Sequence, residues 1–164
     1  MKRGLCILSD LPKGFLKNPI NLAAFGFGSG CFPKAPGTAG TLAALLLYVP
    51  LQYLPFYYYL GFIVFTFVLG IWLCDKASRA LGVHDHGGIV WDEFVGYWIT
   101  MIAAPEGLLW MVLGFVLFRI FDIWKPQPIA YLDKHVHGGL GIMLDDVLAG
   151  VYALLILQGV SQFI

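Results

Sequence analysis

The chain has 164 residues, of which 59% are hydrophobic and only 12% are charged, and its mean hydropathy is +0.79. In a typical soluble domain about a quarter of the residues are charged, so this composition disfavours a water-soluble globule. Its high hydrophobic content also excludes a disordered chain. Ten basic residues balance ten acidic ones, which leaves no net positive charge for nucleic acid, and three cysteines without a CxxC pair suggest neither a disulfide framework nor a zinc knuckle.

The first predicted element is an N-terminal arm over residues 1–24. It begins with basic residues, as a signal peptide does, but Asp10, Pro12 and Lys13 interrupt the apolar core that a signal peptide needs. We therefore expect a cytoplasmic or interfacial arm, part of which lies as a helix on the lipid surface.

A glycine-rich segment follows at residues 26–41. Small residues let backbone N–H groups approach an anion, and Lys34, Thr38 and Thr41 add further donors. The segment is not a Walker A loop, because the pattern G-x-x-x-x-G-K-[ST] is absent. The alternative is a simple entry loop in which Thr38 or Thr41 is the N-cap of the next helix.

Uncharged runs predict the membrane helices. The longest includes residues 41–74, which exceed one bilayer crossing of about 20 residues, and Pro50 and Pro55 interrupt it, so it predicts a helical hairpin. The expected fold is all-α, a single helical domain over residues 1–164 that passes the membrane several times. Its five embedded helices are predicted at about residues 40–54, 56–74, 89–104, 108–124 and 146–163.

The positions of the charges predict the orientation. All ten basic residues lie in or beside residues 1–39, 75–88 and 125–145, and none lies in the turns at 50–55 and 104–107. The positive-inside rule therefore places the three basic segments and the N-terminus in the cytoplasm. The acidic residues share that side, with Glu106 as the exception. A soluble all-helical domain with a very apolar core is the alternative.

Two pairs of adjacent acids stand at predicted helix starts. Asp92 and Glu93 begin one apolar helix, and Asp145 and Asp146 begin another after a glycine-rich approach. An acid in the first turn complements the helix dipole, which explains one acid at each position without further function. Two ionisable residues side by side at a membrane core are costly, however, and such residues are kept there mostly when they pair or bind.

A third charged group ends the fourth predicted helix with Arg119, Asp122 and Lys125, just before Pro126. Arg119 and Asp122 are three residues apart, so a plain ion pair on the helix surface is one interpretation. In the functional interpretation, Asp122 binds a metal ion while Arg119 and Lys125 contact phosphate oxygens.

Together these groups predict a metal site that serves an anionic substrate. Five carboxylates at neighbouring helix ends would repel one another without a cation, and hard oxygen ligands select Mg²⁺ or a similar ion. The nearby cations complement a phosphate, which suggests phosphoryl chemistry on a lipid head group. The pairs His84 with His86 and His135 with His137 offer an alternative zinc site, and one histidine is a candidate proton donor to the leaving group.

Four segments of the chain carry a family resemblance: FGFGSGCFPKAPGTAGTLAA, GVHDHGGIVWDEFVGYWIT, FRIFDIWKPQPI and VHGGLGIMLDDVLAGV. They resemble the phosphatidylglycerophosphatase A family and are collinear with it from about Asn18 to Val151. The resemblance implies a Mg²⁺-dependent integral membrane phosphatase that hydrolyses phosphatidylglycerophosphate to phosphatidylglycerol and phosphate. It also implies a site on the cytoplasmic face of a bacterial inner membrane, with the bilayer lipid as substrate. From the charge balance we expect no nucleic acid as a partner, and no obligate protein partner is evident.

One hypothesis combines the residues and the resemblance. Water activated by Mg²⁺ attacks phosphorus in line with the leaving glycerol oxygen, and an aspartate nucleophile is the open alternative. The catalytic acids are expected to be Asp92, Asp122 and Asp146, the metal ligands Asp92, Glu93, Asp122, Asp145 and Asp146, and the phosphate-binding residues Lys34, Thr38, Arg119 and Lys125.

Two other functions remain open at this point. A phospholipid head-group transferase also uses acids with Mg²⁺, although its D-G-x-x-A-R start is absent here. A small membrane ion-binding or carrier protein would need carboxylates near the middle of the bilayer, whereas these cluster towards one surface.

Overall fold

The computed structural model describes residues 11–163, and within that range it consists of helices and turns without a strand. The predicted all-α class is therefore confirmed for these residues, while residues 1–10 of the predicted arm lie outside them. Two 3₁₀ segments occur at Phe15–Lys17 and Gly26–Cys31. The α-helices are α1 Pro19–Ala24, α2 Pro36–Leu51, α3 Phe56–Leu81, α4 Trp91–Thr100, α5 Leu108–Trp124, α6 Ile129–His135 and α7 Gly138–Ser161.

Prolines set the ends of the first helical hairpin, as the sequence predicts. α2 begins with Pro36 in its first turn, where the missing N–H costs nothing, and it ends one residue after Pro50. Pro55 is the N-cap of α3, so the chain reverses between the two prolines. Neither Thr38 nor Thr41 caps α2, because the N-cap is Ala35 in a left-handed conformation with φ 52°, and Thr41 donates to the carbonyl of Gly37 inside the helix.

Two helices extend further than predicted. α3 continues to Leu81 because Asp75 and Arg79 form an ion pair one turn apart at 3.0 Å, which supports helix beyond the apolar run. α7 begins at Gly138 rather than near Asp146. The glycines expected to form an approach loop are helical, and a Cβ atom at Gly139 would collide with the carbonyl oxygen of Ile71 on α3. These glycines allow close helix packing instead of forming a loop.

Helices α3 and α7 are long and apolar enough to cross a membrane. Their best windows have mean hydropathies of 1.9 and 2.0, and only 28% and 50% of those windows are buried inside the fold. A buried core helix of a soluble protein would hide most of its surface, so these helices fit a membrane protein. The other three predicted spans are shorter, with 16 residues in α2, 10 in α4 and 17 in α5. Five embedded helices therefore stay a prediction.

Helix α4 lies at the centre of the fold, and all ten of its residues are buried. Its length of about 15 Å is half the hydrocarbon thickness of a bilayer, so α4 alone does not cross one. Each neighbouring helix is tied to it by a side-chain hydrogen bond to backbone. The bonds are Trp98 to Ala44 of α2 (3.1 Å), Trp91 to Thr66 of α3 (3.0 Å), Tyr97 to Met111 of α5 (3.1 Å) and Thr100 to Gly150 of α7 (3.4 Å).

The helix ends fall into two groups at opposite ends of the fold. At one end, the turn after α2 and the turn after α4 line one small cavity of about 190 Å³, and Gln158 of α7 donates to the carbonyl of Ile102 at 2.8 Å. At the other end, Val90 N donates to the carbonyl of Ala24 and Gly138 N donates to Nε2 of His84. The predicted hairpins thus bring the charged helix ends together on one side.

Candidate active site

Three acids from two helices meet at the charged end of the fold. Asp92 and Glu93 lie in the first turn of α4, where the helix dipole favours negative charge, and Asp146 lies in the third turn of α7. One carboxylate oxygen from each of the three lies within 4.8 Å of the other two, and all three residues are buried. We call this group the acid triad.

The acid triad has the properties of a cation site. Oδ1 of Asp92 and Oε2 of Glu93 are buried and have no hydrogen-bond donor within the described part of the chain. Buried polar atoms are nearly always satisfied in folded proteins, so two orphaned carboxylate oxygens in one group of acids require an explanation. Mg²⁺ accepts hard carboxylate oxygens at such a distance, and it would offset the mutual repulsion. The residues present therefore fit the predicted ion.

The fourth predicted ligand, Asp122, borders the triad through an arginine. Arg119 forms an ion pair with Asp122 one turn away on α5, and its Nη1 lies 3.9 Å from Oε1 of Glu93. Asp122 is also close enough to Asp146 for their negative charges to repel one another. The expected ion pair between Arg119 and Asp122 is therefore present. It does not lie on the surface, however, because both side chains are only 14% exposed and Arg119 lies beside Glu93.

The fifth predicted ligand, Asp145, faces a different partner. Lys125 Nζ lies 2.7 Å from Asp145 and 3.0 Å from Asp133 of α6. Burial lowers the pKa of Lys125, but these two carboxylates raise it by more, so its pKa lies above that of an ordinary lysine. Lys125 therefore joins α5, α6 and α7, and its ammonium already has two anionic partners where the sequence suggested a phosphate.

The glycine-rich segment reaches the acids through a residue that the sequence analysis did not single out. Gly37 lies in the first turn of α2, and a Cβ atom there would collide with Oε1 of Glu93 and lie 3.1 Å from Nη1 of Arg119. The two residues of this segment that are predicted to contact phosphate, Lys34 and Thr38, flank Gly37 in the sequence. Thr38 is half-buried, and Lys34 is exposed without an ion-pair or hydrogen-bond partner among residues 11–163.

None of the four histidines belongs to the acid triad. His84 accepts a hydrogen bond from Gly138 N, and its ring packs edge-on against His137 with centroids 5.0 Å apart. His135 stacks on Tyr131, and His86 stacks on Phe25. Within the described residues, the group of three potential metal ligands contains acids alone, which favours a hard cation over the alternative zinc site.

Comparison with known proteins adds to this geometry. Residues 22–161 match the family described as Phosphatidylglycerophosphatase A. The phosphatidylglycerophosphatase A of Escherichia coli (strain K12) is 48% identical over 158 residues, which cover 94% of this chain and 90% of that protein. The Haemophilus influenzae protein of the same name is 47% identical over 157 residues, which cover 94% of this chain and 96% of that protein. No solved structure matches the chain.

Proposed function

Because this chain belongs to the phosphatidylglycerophosphatase A family, we propose that it hydrolyses phosphatidylglycerophosphate to phosphatidylglycerol and phosphate. The observation that carries this function is the family match over residues 22–161, together with near-complete coverage of two relatives that bear the enzyme's name. The buried acid triad supports the proposal, because phosphate-monoester hydrolysis requires strong charge stabilisation. A head-group transferase or an ion carrier has no comparable support.

We further propose that the acid triad, Asp92, Glu93 and Asp146, holds Mg²⁺. The orphaned oxygens of Asp92 and Glu93 support this assignment. When bound, the ion supplies charge neutralisation for the substrate phosphate and lowers the pKa of a nearby water. Asp122 borders the triad and also fixes Arg119, whereas Asp145 acts through Lys125.

The cations of the chain have distinct proposed roles. Arg119 lies between Glu93 and Asp122, and its buried Nε has no partner, so its guanidinium retains a donor for a phosphate oxygen. Lys34 and Thr38 flank Gly37 and are proposed to contact the same phosphate from the glycine-rich segment. Lys125 holds Asp145 and Asp133, so its contribution is to position helices.

In the proposed reaction, a water oxygen forms a new bond to phosphorus while the bond from phosphorus to the glycerol oxygen breaks. The leaving oxygen takes a proton, and the former water oxygen stays with the released phosphate. An aspartate nucleophile would instead give a covalent acyl phosphate and a second displacement. Substrate made chiral at phosphorus separates the routes, since one displacement inverts the configuration and two retain it. We expect inversion, and a trapped phospho-enzyme would refute the water route.

The proposed location is a bacterial inner membrane with the acid triad towards the cytoplasm. Lys34, Lys125 and the other basic residues of the described chain lie at or beside the triad's end of the fold, as the positive-inside rule requires for a cytoplasmic face. The acyl chains of the substrate then stay in the bilayer while the phosphate reaches the acids.

One assay tests the function and the metal separately. Purified protein in mixed micelles is incubated with phosphatidylglycerophosphate, with Mg²⁺ or with EDTA, and released phosphate is measured. We expect release with Mg²⁺, loss of release with EDTA, and recovery when excess Mg²⁺ is added back. Release that is unaffected by EDTA would refute the metal assignment alone. No release under any condition would refute the phosphatase function.

A further inference from the structure

An apolar groove runs along the outer face of α2, next to the candidate active site. It has a volume of about 410 Å³, and its surface is almost entirely apolar. We call it the α2 groove, and define it by Lys34, Thr38, Ala39, Leu42, Ala43 and Leu46. The last four positions recur at intervals of three and four residues, so they form a continuous stripe on one face of the helix.

The shape of the α2 groove suits an extended hydrocarbon chain. Thr38 and Leu46 lie about 12 Å apart along the helix axis, given a rise of 1.5 Å per residue. Ala39 and Ala43 are small residues that leave room between the larger Leu42 and Leu46, which are 52% and 64% exposed. A groove with small residues at its centre and leucines at its sides matches an elongated apolar ligand better than a compact polar one.

The polar end of the α2 groove lies beside the acids. Lys34 stands there with its ammonium exposed and unpaired among the described residues, and Thr38 lines the same end. The residue before Thr38 is Gly37, whose missing side chain leaves Glu93 and Arg119 in direct contact with this turn of α2. The groove therefore begins one residue from the point at which α2 contacts Glu93 and Arg119, and it extends from there along α2.

We propose that the α2 groove binds one acyl chain of the phospholipid substrate, with Lys34 beside the anionic head group. This inference rests on the proposed function, because it assigns part of the same lipid to a second surface. The position of Thr38 next to Gly37, which contacts the acids, and the unpaired charge of Lys34 support it. A larger apolar groove of about 660 Å³ on α5 includes Arg119 in its lining. That guanidinium is already paired with two carboxylates, Asp122 and Glu93, and keeps its Nε for the phosphate, whereas the whole ammonium of Lys34 is unpaired among the described residues. Charge complementarity thus favours the α2 groove.

The test compares two substrates that share a head group, one with dioleoyl chains in mixed micelles and one with soluble dihexanoyl chains. Ala43→Trp fills the α2 groove, and Ala39→Leu does so with a smaller side chain. Val64→Trp on α3 is the matched control, because Val64 is an apolar residue that is 63% exposed on another helix. The measured quantity is the ratio of kcat/KM for the dioleoyl substrate to kcat/KM for the dihexanoyl substrate.

We expect Ala43→Trp to lower this ratio by about tenfold, since losing roughly ten van der Waals contacts between the acyl chain and the groove is sufficient for that change. Ala39→Leu should lower it in the same direction, and Val64→Trp should change it less than about twofold. An unchanged ratio in both groove variants would overturn the proposal, as would an equal fall in Val64→Trp. A fourth variant, Val116→Trp, fills the apolar groove on α5, and an effect confined to it would also overturn the proposal. If the unmodified protein releases no phosphate from either substrate, the proposed function fails instead.

If Ala43→Trp does not fold, a direct measurement replaces it. Phosphatidylglycerophosphate with a diazirine in one acyl chain is photolysed with the unmodified protein, and the labelled peptides are identified. We expect labelling of Leu42 and Leu46 to exceed labelling of Val64 and Val68 on α3, and the excess to disappear with a diazirine phosphatidylcholine. Equal labelling of the two helices would overturn the proposal.

Discussion

Asp145 and Asp146 are adjacent on one helix but contact different partners. The direction in which each side chain points from the helix decides which of the two belongs to the acid triad. Successive residues of an α-helix point about 100° apart. Asp146 therefore faces Asp92 and Glu93, while Asp145 faces Lys125. The sequence identifies both acids as unusual for a membrane helix, but it does not give the rotation of α7, which depends on packing against α3 and α4.

The first prediction concerns the acids themselves. Asp92→Asn, Asp122→Asn and Asp146→Asn should each lower turnover by at least about 100-fold, the scale of losing a metal ligand or its support. Phosphate release is measured over a range of Mg²⁺ concentrations, and variants of the triad should also require more Mg²⁺. Glu106→Gln at the opposite, exposed end of the fold is the control and should keep normal turnover. Normal activity in all three aspartate variants would refute the site.

Substitution of Gly37 should lower activity without lowering stability. Gly37→Ala adds a methyl group that collides with Oε1 of Glu93, the end of a flexible side chain. Glu93 can turn away, so folding should be unharmed or slightly favoured by the better helix former, by up to about 1 kcal/mol. The displaced carboxylate should lower kcat by about tenfold or more, because small misplacements of reacting groups are costly.

The control for Gly37→Ala is Gly61→Ala on α3, where an added Cβ has no atom within 4 Å. Both variants are compared by thermal unfolding in detergent and by phosphate release. Gly61→Ala should keep full turnover. Full turnover in Gly37→Ala would mean that the first turn of α2 does not limit the position of Glu93.

At the scale of elements, two glycines set the distance between the helices that carry the acid triad. A Cβ atom at Gly150 on α7 would collide with the carbonyl oxygen of Gly96 on α4, and one at Gly96 would lie 2.7 Å from the carbonyl oxygen of Asp146. Small residues at such crossings allow backbones to approach closely. The crossing of α4 and α7 therefore fixes the separation of Asp92 and Glu93 from Asp146.

We predict that Gly150→Ala lowers both stability and activity. Its methyl group meets backbone rather than a flexible side chain, so the two helices must separate, at a cost of about 1–3 kcal/mol. Thermal unfolding and phosphate release are measured against Gly159→Ala, on the same helix, where an added Cβ meets nothing within 4 Å. Gly159→Ala should leave both unchanged. A Gly150→Ala variant with normal activity would show that the triad tolerates a wider crossing.

The residues at which the helices begin and end were harder to predict from sequence than the presence of the helices. Proline and apolar runs were sufficient for the α2–α3 hairpin and for α5, which has the predicted bounds. They were insufficient for α7, because glycines that permit close packing have the same composition as a flexible loop. The ion pair between Lys125 and Asp133 was also not predictable, because Asp133 lies on a short helix that the periodicity of the sequence does not indicate.

At the scale of the whole molecule, the hairpins separate the acids from Glu106. The turns after α2 and α4 and the last turns of α7 share one end, whereas the acid triad, Arg119 and Lys125 lie towards the other. Charge placement along the sequence predicts this two-sided arrangement, because each pair of apolar helices is joined by a turn without basic residues and then returns the chain to the side that carries them. The depth of α4 was not predictable, since its ten residues are embedded among other helices.

The last prediction is the orientation of these two ends across the membrane. Alkaline phosphatase is active only outside the cytoplasm, and green fluorescent protein exported by the same route does not fluoresce, so the two reporters are inserted in turn at three loops. Insertions between Gln52 and Tyr53 and between Pro105 and Glu106 should give phosphatase activity without fluorescence. An insertion between Gly82 and Val83 should give the reverse, because the basic residues on this side oppose export. The opposite pattern would place the acid triad on the outer face, and the same reporter response at all three positions would mean that α3 does not cross.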